Sequence, residues 1–405
     1  MTPLRGEHEA EVAVVGGGPV GLTAAIALAT AGVPTALIAP APKQADNRTT
    51  ALLGGSVNAL EAIGAWAGCR AQAAPLRTMR IVDDTDRLWR APEVRFDAAE
   101  IGLEAFGWNV ENRHLIEALG KRAAEMPGLL RIEDQARAVE IADADVTTRL
   151  AGGGALTVRL LVAADGSRSL CRTAAGIDTQ SQNYPQTAVT FNLGHQRPHR
   201  DISTEFHTAH GPFTVVPLPG LRASLVWVVA PDKAGLIEKT EMLALEQEIE
   251  RRSHSILGKI RLEPGGGVFP LRVETARRFA ARRVALVGEA GHVMPPIGAQ
   301  GLNLGLRDAA TIAELVVAAR RRGDDVGGGE VIDAYDQRRR ADVTSRTVAV
   351  DLLNRTLLSD FLPTQGMRGL GLYMLDRIGP LRRAMMREGM ASGAGQPRLM
   401  RGEAL

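Results

Sequence analysis

The run Val14-Val15-Gly16-Gly17-Gly18-Pro19-Val20-Gly21 restricts the fold more than any other stretch of this chain. Glu11 to Val15 predicts a strand, Pro19 to Thr30 a helix and Thr35 to Ile38 a second strand, which together make a βαβ unit. Gly16, Gly18 and Gly21 have the spacing of a dinucleotide-binding turn. The first glycine permits a tight strand-to-helix turn, the second lets backbone N–H groups approach a pyrophosphate, and the third lets helix pack on strand. The helix N-terminus adds partial positive charge facing the phosphates. The second strand, however, ends in Ile38-Ala39-Pro40, without the carboxylate that normally holds ribose hydroxyls. Either a loop residue takes over that contact or nucleotide affinity suffers.

The stretch from Val12 to Pro42 carries no charge and is long enough to mimic a membrane span. Its glycines and Pro19 would break such a helix near its start, so a buried strand, turn and helix explain the run better, and no span is predicted. Met1 to Glu11 is charged and does not read as a signal peptide. A length of 405 residues predicts two packed domains plus a terminal element. The net charge of +2 gives no reason to expect nucleic acid. Cys69 and Cys171 are isolated thiols, which suit a reducing cytoplasm and build neither a disulfide framework nor a zinc site. His207 and His210 have helix-like spacing, but no carboxylate or cysteine cluster joins them, so no metal is assigned.

Further along, Asn58 to Trp66 and Arg113 to Glu125 read as helices, and short strands follow around Arg131 to Ile141 and Val146 to Leu150. Between Thr187 and Val229 the pattern changes to alternating strands, which predicts a separate antiparallel sheet. Thr240 to Leu257 returns to helix, Leu302 to Arg321 is a long helix, Gly323 to Gly329 reads as a surface loop, and Val331 onward reads as helical.

Two distant segments add chemistry. In Leu161-Val162-Ala163-Ala164-Asp165-Gly166 an acid and a glycine directly follow a buried strand. In Val287-Gly288-Glu289-Ala290-Gly291-His292-Val293-Met294-Pro295-Pro296-Ile297-Gly298-Ala299-Gln300-Gly301-Leu302-Asn303 a strand ends in an acid, and a Pro/Gly loop leads into a helix. The backbone donors of that helix N-terminus suit an electron-rich ring edge.

Together these segments resemble the motif set of the class A flavoprotein monooxygenases, the p-hydroxybenzoate hydroxylase fold. The resemblance implies an α/β protein: a Rossmann-type FAD-binding domain (1–75, 106–180 and 268–330), an inserted antiparallel-sheet substrate domain (76–105 and 181–267) and a C-terminal helical region (331–405). It carries Asp165 and Gly166 to the FAD pyrophosphate and Glu289 to the ribityl chain. Gly298, Gly301, Leu302 and Asn303 are carried to the cofactor loop and the flavin pyrimidine edge. Arg48 and Arg113 match arginines near the cofactor, and Pro295 and Pro296 would lie by the reacting ring. The family usually has Asp where this chain has Glu289, so the ribityl contact must be rebuilt by one methylene; alternatively Glu289 caps a helix. His292 reads as a turn-fixing residue rather than a base.

The finer resemblance is to the ubiquinone-biosynthesis hydroxylases. It rests on Pro295 to Asp308, Gly211 to Gly220 and Tyr335 to Asp342. It implies that NAD(P)H reduces FAD and that a flavin hydroperoxide formed with molecular oxygen hydroxylates an electron-rich ring, a polyprenylated phenol. No protein nucleophile is involved. Leu370, Leu372, Tyr373, Leu375, Ile378, Leu381, Met385 and Met386 are interspersed with Arg368, Arg377, Arg382, Arg383 and Arg387. Such a helix either lies on the inner face of an anionic membrane or packs its apolar face on the core, leaving the arginines in water. The competing readings are a flavin hydroxylase of a soluble aromatic and a non-catalytic scaffold of a biosynthetic complex. The tryptophans Trp89, Trp108 and Trp227 lack the spacing of a flavin halogenase.

Overall fold

The computed structural model describes residues 10–41, 47–85, 90–296, 299–358, 373–374, 377–390 and 395–405. Every residue of the Val12–Val15 strand is buried, so the strand needs cover on both faces and a central place in a parallel sheet. It has both. The sheet runs in the order Ala280–Ala281, Val284–Leu286, Leu160–Ala163, Val12–Val15, Thr35–Ile38 and Leu129–Ile132. All neighbours are parallel except the first pair. One face packs the helices Pro19–Thr30, Asn112–Ala124 and Gln300–Arg322 into the main core. The other face is covered by a three-stranded meander, Ala136–Ile141, Val146–Leu150 and Gly154–Val158, and by the helix Leu170–Ala174. The charge-free run follows from this, because residues 21–28 of its helix are all buried.

The second large sheet has the order His292–Val293, Gly267–Ala276, Thr179–His195, Arg222–Val229, Gly211–Leu218, Ile202–Thr208, Thr78–Asp83 and Val94–Asp97, with Ile260–Leu262 paired to the end of Thr179–His195. It is antiparallel as expected, save that Ile202–Thr208 and Thr78–Asp83 run parallel. Thr78–Asp83 arrives from far earlier in the chain, so no hairpin dictates its direction. The helices Pro231–Ile237 and Met242–Arg252 cover the outer face. The inner face looks back at the first domain. A small sheet of Thr49–Leu53, Gly107–Glu111 and Ala73–Pro75 joins the two, and the Asn109 amide donates to Pro217 O (2.9 Å) and Ser224 Oγ (3.2 Å).

The loop predicted at residues 323–329 is pinned rather than free. Val326 is buried, and a Cβ on Gly327 would sit 2.0 Å from Arg159 O. The helix Gly329–Leu358 then returns to the main core with Val331, Ile332, Tyr335 and Val343. The Tyr335 hydroxyl donates to Leu286 O (2.7 Å) at the end of a central strand. Among the described residues no helix is long and apolar enough to cross a membrane.

Candidate cofactor and substrate site

A cavity of about 550 Å³ lies between the carboxyl ends of the parallel strands and the inner face of the second sheet. That position is where open α/β sheets bind ligands. Its first wall is mostly backbone. Gly16 and Gly21 are needed by the fold itself: a Cβ on either would meet a carbonyl oxygen at about 2 Å, Ala164 O at 2.1 Å and Gly16 O at 2.0 Å, and Gly16 has a φ of +121°. Gly18, Gly166 and Gly301 are different. All three line the cavity, and a Cβ on any of them would meet nothing within 4 Å. Gly166 has a left-handed φ of +81° that itself favours glycine, but neither packing nor backbone conformation gives a reason to keep Gly18 and Gly301 bare, whereas a ligand approaching the backbone does. That is the fit test for a dinucleotide, and the wall meets it.

The Gln300–Arg322 helix begins beside them. Its N-cap, Ala299, has a left-handed φ of 53° and supplies no side-chain cap. The early backbone N–H groups of the helix at Gly301 and Leu302 lie beyond the reach of intrahelical carbonyls and face the cavity. The neighbouring side chains hold this end in place. Asn303 Oδ1 accepts from Leu53 N (2.8 Å) and Ser56 Oγ (2.6 Å), while its amide donates to Ala51 O (2.8 Å) and Ala299 O (2.6 Å). Its amide is thus spent on the scaffold, and the cavity meets Gly301 and Leu302 instead.

Asp308, a residue to which the sequence reading gave no separate role, is the clamp of the whole loop. Fully buried, it accepts from Gly288 N (2.8 Å), His292 Nε2 (2.7 Å) and Arg339 Nε (2.6 Å). Arg339 reaches it from the Gly329–Leu358 helix and also pairs with Asp342 at 2.7 Å. His292 is accordingly a loop-fixing residue with no exposed side chain. Asp342 is shared by Arg339, Arg307 and Arg346. Burial works to raise its carboxyl, but the three arginines outweigh it and bring the value down to about 2.

The remaining assignments divide. Arg48 lines the cavity with its guanidinium 5.4 Å from the Phe269 ring centre. Glu289 is exposed and also lines it. Pro295 is buried and Pro296 exposed, both on the lining. Asp165 is turned away from the cavity: it accepts from Ser169 Oγ (2.5 Å) and Cys171 N (3.1 Å), which caps the short helix behind it and leaves Gly166 at the edge. Arg113 pairs with Glu111 at 3.0 Å, and its neighbour Asn112 is the residue on the lining. Burial raises the Glu111 carboxyl, but Arg222 and Arg113 outweigh it and hold it below the usual range. Gly298 lies outside the described residues, as do Leu370, Leu372, Leu375 and Arg368.

The second wall is made of side chains. Ala188, Thr190 and Val226 come from the inner face of the sheet, Phe269 and Leu271 from the adjacent strand. Asn192 donates to Asn47 O (2.8 Å) and Glu111 Oε1 (3.1 Å), which ties this wall to the first. The His292–Val293 strand pairs with Gly267–Ala276, so the loop bearing Glu289 and Pro295 is stitched to the second sheet. The sequence reading missed Asn192, Phe269 and Leu271, whose place depends on strand register.

Comparison with known proteins identifies the family: the FAD binding domain family matches residues 9–349. The chain belongs to this family of FAD-dependent monooxygenases. It is 36% identical to the ubiquinone hydroxylase UbiL of Rhodospirillum rubrum, over 99% of this chain and 95% of that one. It is 32% identical to the 3-demethoxyubiquinol 3-hydroxylase of Escherichia coli, over 93% and 97%. Among solved structures, the p-nitrophenol 4-monooxygenase PnpA of Pseudomonas putida superposes with a TM-score of 0.78 at 19% identity, covering 94% of this chain and 98% of that one. HpxO of Klebsiella pneumoniae, solved with FAD and uric acid, gives 0.72 at 19% identity, covering 95% and 97%. At these identities the superpositions establish the shared fold.

Proposed function

We propose that this FAD-dependent enzyme hydroxylates a polyprenylated phenol in ubiquinone biosynthesis. The observation that carries the reading is the two-sided cavity, with a bare backbone wall for FAD facing an apolar sheet wall for an aromatic ring. Gly18 and Gly166 flank the pyrophosphate, Glu289 takes the ribityl hydroxyls, and the N–H groups of Gly301 and Leu302 face the flavin pyrimidine edge. Bound FAD, reduced by NAD(P)H, supplies the oxygen-activating chemistry. The protein orients the ring against Ala188, Val226, Leu271 and Pro295 and excludes water from it. Arg48 adds positive charge on the cofactor side. The two named hydroxylases support the substrate class, because each covers nearly the whole chain.

A lipid substrate calls for contact with a membrane surface. The Gly379–Met390 helix supports this: Met386 is buried while Leu381 and Met385 remain exposed beside Arg383 and Arg387. Purified protein supplied with NAD(P)H, isotopically heavy oxygen gas and a prenylated phenol in detergent tests the reading. One labelled oxygen atom is expected in the ring. Hydroxylation restricted to small soluble phenols would replace the substrate assignment.

A further inference from the structure

The Val94–Asp97 strand is the free edge of the nine-stranded sheet, and its two faces differ. Val94 and Phe96 are buried against Met386 of the Gly379–Met390 helix. Arg95, by strand alternation, points to the opposite face. There it stands directly across from Arg80, an arrangement of like charges that destabilises an antiparallel pair. Arg197 and Arg200 join them around a hollow of about 420 Å³, whose apolar lining includes Ile202, Val215, Ile256 and Leu257.

Cations exceed acceptors in this hollow. Glu93 is the one carboxylate paired with any of the four arginines among the described residues, at 3.4 Å from Arg80 and 2.7 Å from Arg95. The Arg80 Nε is buried without a well-formed hydrogen bond. Arg197 spends one nitrogen on Ser255 O (3.1 Å). Arg200, exposed, has no hydrogen bond or ion pair among the described residues. Neither sheet pairing nor the core requires four guanidinium groups here, and gathering them costs electrostatic energy that a counter-anion relieves. Guanidinium forks match phosphate oxygens, and the apolar lining beneath suits the glyceride portion of an amphiphile.

We propose that this hollow binds the phosphate head group of an acidic phospholipid and that the Val94–Asp97 edge is the membrane-facing side of the molecule. The proposal rests on the peripheral membrane contact inferred above and locates it. The arginine hollow and the exposed residues Ile378, Leu381 and Met385 then flank one edge strand, on its two sides. A cationic cradle and an apolar helix face meet the same surface.

The test is co-sedimentation of the full-length holoprotein with vesicles of phosphatidylcholine alone or containing phosphatidylglycerol. Wild type is expected to prefer the anionic vesicles. Arg197→Ala/Arg200→Ala is expected to lose roughly 25-fold in affinity for them, at about fivefold per arginine near a membrane. The control Arg131→Ala/Arg137→Ala removes equal charge from the far domain and is expected to bind as wild type. Arg200→Ala alone removes a side chain without a partner, so its partial loss cannot come from misfolding. Equal binding by the double variant, or an equal loss in the control, overturns the proposal. So does saturation of the hollow by inorganic phosphate with no binding to vesicles, which would make a soluble phosphate compound the ligand. Flavin content and hydroxylation of detergent-dispersed substrate are read on the same preparations. Their loss with vesicle binding intact would break the hydroxylase reading and leave the lipid site standing.

Discussion

The two walls of the central cavity are built by different physics. On the proposed cofactor side the surface is backbone, kept bare by Gly18, Gly166 and Gly301, and the hydrogen bonds of the buried side chains of Asp308 and Asn303 brace it from behind. On the sheet side the surface is side chain, and residues such as Thr190 and Val226 stay half-exposed. The first wall is rigid and its shape is set by what lies behind it. The second can change residue by residue without disturbing the first. A fold that keeps one cofactor while its substrates vary needs this division.

The largest expected effect strikes the support of the first wall. Asp308→Ala would remove the carboxylate on Arg339 Nε, leave this buried guanidinium with Asp342 alone as the carboxylate paired to it among the described residues, and free the loop at Gly288. A loss of about 3–5 kcal/mol in urea unfolding is expected, together with loss of flavin. Asn303→Ala comes next, because Leu53 N and Ser56 Oγ lose their acceptor. About 2–4 kcal/mol is expected, with flavin affinity falling in step. A variant in which either change spared flavin binding would blur the distinction between the walls.

Acid sharpens the same comparison. The Asp342 carboxyl is held at about 2 in the folded protein against an ordinary value of 3.8. A depressed carboxyl contributes stability that is fully present above about pH 4 and is lost as pH falls from there towards 2. The contribution is about 2 kcal/mol. Asp342→Asn should flatten the stability profile across that window, as read by thermal melting at a series of pH values.

The smallest effect on stability is expected on the second wall. Val226→Phe should leave melting and flavin affinity nearly unchanged while raising KM for the aromatic substrate about tenfold by crowding the ring. Steady-state kinetics beside a flavin titration separates the two. Weaker flavin binding in this variant would show that the walls are coupled, with Asn192 the obvious link.

How much of this could be read from the sequence follows the same division. That these segments would meet at one cavity wall was legible because the signals are local: Gly16, Gly18 and Gly21 in a six-residue span, and a strand–loop–helix run from Val287 to Asn303. Its support was not, because the partners of Asp308 lie 20 and 31 residues away, at Gly288 and Arg339, and nothing local pairs them. Nor does a motif show which of its side chains are committed to the scaffold. Asp165 caps the helix behind it, and Arg113 binds Glu111. The sheet wall was unreadable residue by residue because register chooses the inward positions. That Thr190 faces the cavity beside Val226 follows only from the pairing of two strands.

The most direct test of the account is the visible absorption spectrum of purified Gly18→Val beside that of wild type, with melting curves on both. Wild type should show the two bands of oxidised flavin, bleached by NAD(P)H and restored by air. The variant should fold with a similar melting point once flavin is stripped from both, yet remain colourless, because its added side chain would occupy space that only the cofactor needs. A variant that keeps its flavin bands would contradict the claim that bare backbone at Gly18 defines the FAD site.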